Sequence, residues 1–434
     1  METALLPVIV FLLVYIVLTF ELLNKAVIAL SGVAVLLICG TVSEHEAIGM
    51  IDFETIMLLM GMMIIVSMLR RSGFFTLVSV KIAEVTNGNP LKILVLFSLV
   101  TAVMSAFLDN VTTVLIIIPI LIELTRGIGL DPKPYIISQA LISNVGGTAT
   151  LIGDPPNIII GSKVGLTFNQ FMINLTLPVA IIFVVVLLYI RFRHRDRFKP
   201  MDRNLVKQVS IRLLLEKIRF EFMNIRLDRR LIVKALFCLI LALSLFVTQT
   251  ITGLSPGLVA FAVAMLLFVL SGEDAEEVLE DVEWSTLLFF AGLFILVGVL
   301  EEHGVILWIA ENVFMRVGDN PYIMVLVVLW VSGLASGFLD NIPFTVSMIP
   351  IVEHMLQATP IPNNILWWAL SLGACLGGNF TYIGASANIV SVSIAKKYGE
   401  GITFLEFMKT GTAVTVISLS IASIYLSIYL WASL

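Results

Sequence analysis

Three aspartates interrupt runs that are otherwise apolar. Asp109 sits in SAFLDNVTTVLIIIPI (residues 105–120), Asp340 in SGFLDNIPFTVSMIPI (336–351) and Asp154 in NVGGTATLIGDPPN (144–157). Apolar runs of roughly 17–20 residues, the length that crosses a hydrocarbon core of about 30 Å, recur along the chain. Of 434 residues, 59% are hydrophobic and 13% charged, where soluble proteins have about a quarter charged, so the chain is an all-α polytopic membrane protein. A carboxylate at the centre of a bilayer costs roughly 2.5–3.5 kcal/mol on insertion scales and needs a task there. Three tasks compete for Asp109 and Asp340. Each could cap the helix that follows, with Asn110 or Asn341 bonding turn amides. Each could ligate a cation, with Na+ held by Asp109, Asn110, Asp340 and Asn341, or carry a proton in a poorly hydrated site.

The elements that must position these groups are written twice, 231 residues apart. Phe107-Leu108-Asp109-Asn110 returns as Phe338-Leu339-Asp340-Asn341, and Asp52-Phe53-Glu54-Thr55 faces Glu283-Trp284-Ser285-Thr286. Gly61 faces Gly292, Gly73 faces Gly304, Gly146-Gly147 faces Gly377-Gly378 and Asn157 faces Asn388. Polar and glycine pairs at one offset are not what random apolar composition gives, so the chain reads as a duplication. It departs from symmetry at the candidate site. Asp154 faces Ala385, Asn144 faces Cys375, Thr112 faces Pro343 and Thr148 faces Asn379. Asp154 therefore marks one half as holding the coupling ion or proton, or else forms only a Gly-Asp-Pro turn.

Each half reads as five spans and a hairpin. The first repeat, 1–190, has spans at about 5–20, 23–40 and 54–69, a re-entrant hairpin over 91–125, a discontinuous helix over 134–165 and a span at 171–190. Asp109-Asn110 forms the hairpin tip, and the two glycines with Pro155-Pro156 unwind the broken helix, since proline lacks the amide a helix interior needs. The second repeat, 231–434, has spans near 231–249, 255–271 and 285–300, a hairpin over 321–356, a broken helix over 364–396 and a span at 409–431. Five spans is an odd number, so the second repeat is inserted upside down.

The linker 191–230 holds 13 of the 26 Lys and Arg, which places it in the cytoplasm and both termini outside. Arg316 then falls outside. The stretch 206–222 suits a helix lying on membrane lipid, and no nucleic-acid partner is needed to explain the basic charge. Cys39, Cys238 and Cys375 lack metal-ligand spacing, so we expect buried free thiols, no structural metal and no cofactor. Glu21, Asn24, Lys25 and the acidic stretch 272–281 read as solvated loops or helix ends without chemistry.

Unwound backbone cannot face lipid, so the four breaks must line a protein-walled or wet site. Asp109, Asn110, Thr112, Asn144, Gly147, Thr148, Asp154 and Asn157 mark it in the first half, and Asp340, Asn341, Asn379, Thr381, Ser386 and Asn388 in the second. Helix ends there offer amides to anions and carbonyls to cations, as in secondary transporters. An intramembrane aspartyl protease pairing Asp109 with Asp154 would give the second half no reason to repeat the hairpin.

The phrases FLDNVTT, NVGGTATLIGDPPNIII, FLDNIPFTVSMIP and ACLGGNFTYIGASANIV resemble the ion transporter superfamily over essentially the whole chain, in the wording of its arsenite-permease and P-protein branch. The resemblance implies two inverted repeats of five helices with two hairpins, alternating access, and a site on the tips and unwound loops. In the dicarboxylate branch the tips read Ser-Asn-Thr. Here Asp replaces Ser, so a neutral hydroxide such as As(OH)3, or a cation, suits the site better than a dianion. The expectation is a secondary transporter of the inner membrane exporting arsenite or antimonite against protons, with Asp109, Asp154 and Asp340 as coupling residues. Na+/H+ antiport, anion or carboxylate transport and a passive channel are the alternatives. A proton or sodium gradient is the drive, and a homodimer or an ATPase partner is compatible with it.

Overall fold

Backbone amides in hydrocarbon find no water, so apolar segments close their hydrogen bonds internally as helices. In the computed structural model, which describes residues 5–19, 23–198, 227–314, 320–358 and 361–433, all regular structure is helical. The first half holds α1 (Leu5–Thr19), α2 (Lys25–Ile38), α3 (Glu44–Met50), α4 (Phe53–Arg71), α5 (Phe74–Thr86), α6 (Pro90–Phe107), α7 (Asn110–Gly127), α8 (Lys133–Gly147), α9 (Pro155–Val164) and α10 (Phe168–Arg193). The second holds α11 (Arg229–Val247), α12 (Pro256–Ser271), α13 (Ala275–Glu280), α14 (Trp284–Glu302), α15 (Val305–Ile309), α16 (Pro321–Phe338), α17 (Asn341–Ala358), α18 (Ile365–Gly377), α19 (Ser386–Lys397) and α20 (Phe404–Ser433). Seven of the described helices are long and apolar enough to cross a membrane.

The hairpins are α6–α7 and α16–α17, and the broken helices are α8–α9 and α18–α19. Both hairpins begin on the same device. Asn89 and Asn320 accept from the amides of Leu91 and Tyr322, each at 3.0 Å, and a proline occupies the first helical position after each. Proline suits that position because its missing N–H would go unbonded there anyway.

Glycines decide how closely the helices pack. A Cβ on Gly61 would overlap the backbone of Ala260, and one on Gly292, 231 residues on, would stand 3.0 Å from the Ala29 side chain. The same relation holds inside each half, where Gly146 lies on Ala102 and Gly377 on Gly333. The halves also trade partners: α4 packs on α12 and α14 on α2, while α7 packs on α19 and α17 on α9. Close backbone approach of this kind is how helices gain packing where lipid offers no hydrophobic drive.

Several expectations need correction. The short helices α3, α5, α13 and α15 stand outside the expected spans. Gly73 and Gly304 begin α5 and α15 in the left-handed conformation, φ 81° and 72°, which explains their recurrence. Helix α2 has 14 residues, about 21 Å at 1.5 Å per residue, short of a full crossing. Cys39 is exposed at its end, while Cys238 and Cys375 are buried as expected. The surface helix expected over 206–222, Glu21 and Arg316 lie outside the described residues.

The acidic stretch before α14 is not idle. Asp281 joins α4 to the second half through Arg70 at 3.0 Å, Arg71 at 2.5 Å and Ser67 at 2.7 Å, and Arg71 also meets Glu277 at 3.0 Å. Burial pushes the Asp281 carboxyl up, but the bonds from Arg71 and Ser67 and the charges of Arg70 and Arg71 outweigh it and hold it below the usual carboxylate range.

Two outcomes follow. A carboxyl depressed in the folded state stabilises above its unfolded value of about 3.9, and that contribution is lost as pH falls through the folded value. Asp281→Asn should therefore cost about 1 kcal/mol equally across about pH 5–8, as followed by thermal unfolding in detergent. Gly146→Val and Gly377→Val should each cost at least ~1–3 kcal/mol of packing strain. Size-exclusion profiles should then show a loss of monodisperse protein. Gly401→Ala, with nothing within 4 Å of its added Cβ, should not.

Candidate functional site

Each hairpin turns on an aspartate. The Oδ1 of Asp109 accepts from the Thr112 amide at 2.7 Å, and that of Asp340 from the Ile342 amide at 3.1 Å. Asp is a good cap because its carboxylate replaces the partner that a first-turn amide lacks. Capping therefore operates at both tips, and it leaves an oxygen over in each. At Asp340 the spare Oδ2 accepts from Lys25 Nζ. Asp109 has no ion-pair partner among the described residues. Asp154 stands first before α9 yet makes no cap bond. It is 1% exposed and accepts from Asn341 Nδ2 at 3.3 Å, with Cys375 and Asn110 also beside the carboxyl, and among the described residues its Oδ2 has no hydrogen-bond partner of ordinary geometry.

Behind the tips, asparagine amides do the work of the missing helix backbone. Asn157 Nδ2 donates to the carbonyls of Thr148 at 3.1 Å and Thr150 at 2.8 Å, and Asn388 Nδ2 to those of Gly378 at 2.9 Å and Thr381 at 3.2 Å. Each then turns its Oδ1 to the opposite half. Asn157 accepts from Ser371 at 2.5 Å, and Asn388 from Asn144 at 3.1 Å. Asn144 also donates to Asn379 at 2.8 Å and meets Asn110 at 3.2 Å. Thr150 and Thr381 tie the unwound loops to Ala106 and Gly337 on the hairpins. Gly147 lies so near Asn110 and the Gly153 carbonyl that a Cβ would not fit.

These layers enclose a cavity of about 390 Å³. Of the residues singled out by sequence, Asp109, Asn110, Asn144, Asp154, Asn341 and Ser386 line it. Gly147, Thr148, Asn157, Asn379, Thr381 and Asn388 stand behind that wall and brace it, while Thr112 faces a smaller adjoining cavity that Asp109 and Glu283 share. The exposed rim is Leu23, Asn24, Glu283 and Ser285, on the side where Arg70 and Asp281 lie. Sequence reasoning missed Lys25 and Glu283. Lys25 had no signal beyond being a charge at a span's end, but Glu283 stood in the repeat opposite the helix cap Asp52.

An all-helical membrane chain with two hairpins and two broken helices around a polar cavity defines a transporter. The citrate transporter family pattern (CitMHS) matches residues 15–373. The "46 kDa membrane protein" of Mycobacterium leprae is 40% identical over 423 residues, 96% of each chain. An uncharacterized transporter of Mycobacterium tuberculosis is 39% identical over 427 residues, again 96% of each. The P protein of Mus musculus is 34% identical over 493 aligned positions, covering 96% of this chain and 59% of that protein. The chain belongs to the citrate transporter family.

If the crossed asparagines hold the halves together, Asn144→Ala and Asn388→Ala will be non-additive. Each should cost about 1–3 kcal/mol by leaving buried groups unpaired, and a double-mutant cycle on thermal unfolding should give a coupling of at least ~0.5 kcal/mol. Additive losses would remove the bridging role.

Proposed function

We propose that this chain is a proton-coupled exporter of a small neutral or cationic solute, with arsenite and antimonite as the neutral hydroxides that suit the site. The observation that carries this is the charge of the cavity wall. Three carboxyl groups, Asp109, Asp154 and Glu283, face one ammonium, Lys25, and that ammonium is already held by Asp340. The N-termini of α7, α9, α17 and α19 meet this wall, each worth roughly half a positive charge. The terminus of α7 is capped by Asp109, which has no ion-pair partner among the described residues, and Asp154 and Glu283 add two further carboxyl groups, so the wall does not favour a polyanion. Citrate, which the family description names, would enter as a free anion only against this charge.

Asn110, Asn144, Asn341 and Ser386 supply the donors and acceptors a trihydroxide would need. The unpartnered Oδ2 of Asp154 and the spare oxygen of Asp109 are the places for a proton. The face bearing Arg70 and Arg71 is then cytoplasmic by the positive-inside rule, the second half is inverted relative to the first, and the cavity opens inward. This reading needs no nucleotide-driven partner.

The test uses everted membrane vesicles with an acid interior. As(III) should accumulate, a protonophore should abolish the uptake, and Asp109→Asn or Asp154→Ala should lower it at least ~10-fold, the loss of one favourable interaction of about 1.4 kcal/mol or more. Sodium-driven proton movement without arsenic would make the carrier a cation antiporter. Citrate uptake without a divalent cation would overturn the charge argument, and gradient-independent flux would indicate a channel.

A further inference from the structure

The two hairpin tips carry the same aspartate but not the same electrostatics. Asp340 receives the Lys25 ammonium, which also reaches Ser386 Oγ at 3.3 Å. Lys25 comes from the first turn of α2, whose cap Asn24 is itself held by Ser285 Oγ at 2.8 Å. In the other half the residue 231 further on is Pro256, which has no charge to offer Asp109. Asp109 instead shares both of its cavities with Glu283. One tip is neutralised from within the chain, and the other is left beside a second carboxylate.

We infer that Lys25 is a tethered cation filling a monovalent-cation site formed by Asp340 Oδ2 and Ser386 Oγ, so that only the Asp109 side exchanges cations with solution. A lysine ammonium and a bound alkali ion satisfy the same oxygens, but the lysine cannot leave. The carboxylate and hydroxyl that hold it are hard oxygen donors of the kind that ligate such ions. Bringing its own counter-ion lets the protein keep a charged cap at the second tip without the desolvation cost of an unpaired charge. For the transport cycle proposed above, on which this corollary rests, coupling becomes one-sided: Asp340 is an anchor and Asp109 with Asp154 carries the exchangeable charge.

The test reads cation binding and therefore stands apart from cargo identity. Na+ binding to purified protein is measured by titration in choline buffer for wild type, Lys25→Gln, and Lys25→Gln combined with Asp340→Asn. Lys25→Gln should bind one more equivalent of Na+ than wild type, and the double variant should lose that equivalent. An unchanged stoichiometry in Lys25→Gln would overturn the inference. Should that variant fail to insert, acetylation of the folded wild-type protein neutralises the ammonium instead, with Lys25 modification verified by mass spectrometry. The extra equivalent should then appear in wild type and be absent from Asp340→Asn treated in the same way; equal binding by the two would equally refute the tethered-cation role. If arsenite transport fails its own test while the extra equivalent appears, the tethered cation stands and the cargo assignment falls.

Discussion

The structure depends on one constraint. A helix that unwinds inside a bilayer exposes carbonyls that lipid cannot satisfy. Asn157 and Asn388 meet that constraint with their side chains: each spends its N–H groups on the unwound loop of its own half and its carbonyl oxygen on a residue of the other. Without the breaks there would be no polar cavity, and without these amides the breaks would be costly. The interlock follows from the same bonds, because the groups that satisfy one loop are fixed by the partner half.

The reciprocal helix contacts extend this logic outward. Glycines at 61 and 292 let α4 and α14 lie close against the other half, at Ala260 and Ala29. Contacts between the halves also run through the tips, where Lys25 reaches Asp340 and Asn341 meets Asp154.

Much of this was legible in the sequence because polar residues in apolar runs are informative. The 231-residue offset identified the hairpins, the breaks and Asn157 with Asn388, and the structure finds helix ends at Phe107, Asn110, Gly147 and Pro155 where the pattern broke. What was hidden was of two kinds. A short helix such as α5 carries too few residues for a clear period, and it begins on a left-handed glycine. Lys25 is a matter of long-range contact: it lies 315 residues from Asp340, and a single charge at a span's end reads as solvated until the fold places it. Likewise, nothing in sequence separated the asparagines that brace the cavity wall from those that face it.

The proposed transport cycle requires that one cavity, walled by both halves, open to one face at a time. It is tested most directly by placing a cysteine at Val111, which lines that cavity, in a chain whose three native cysteines are replaced, and labelling it with an impermeant maleimide from each side of the membrane. Labelling is expected from the Arg70–Arg71 face at rest, and from the opposite face only when a solute gradient drives the cycle. Equal labelling from both faces at rest would contradict it.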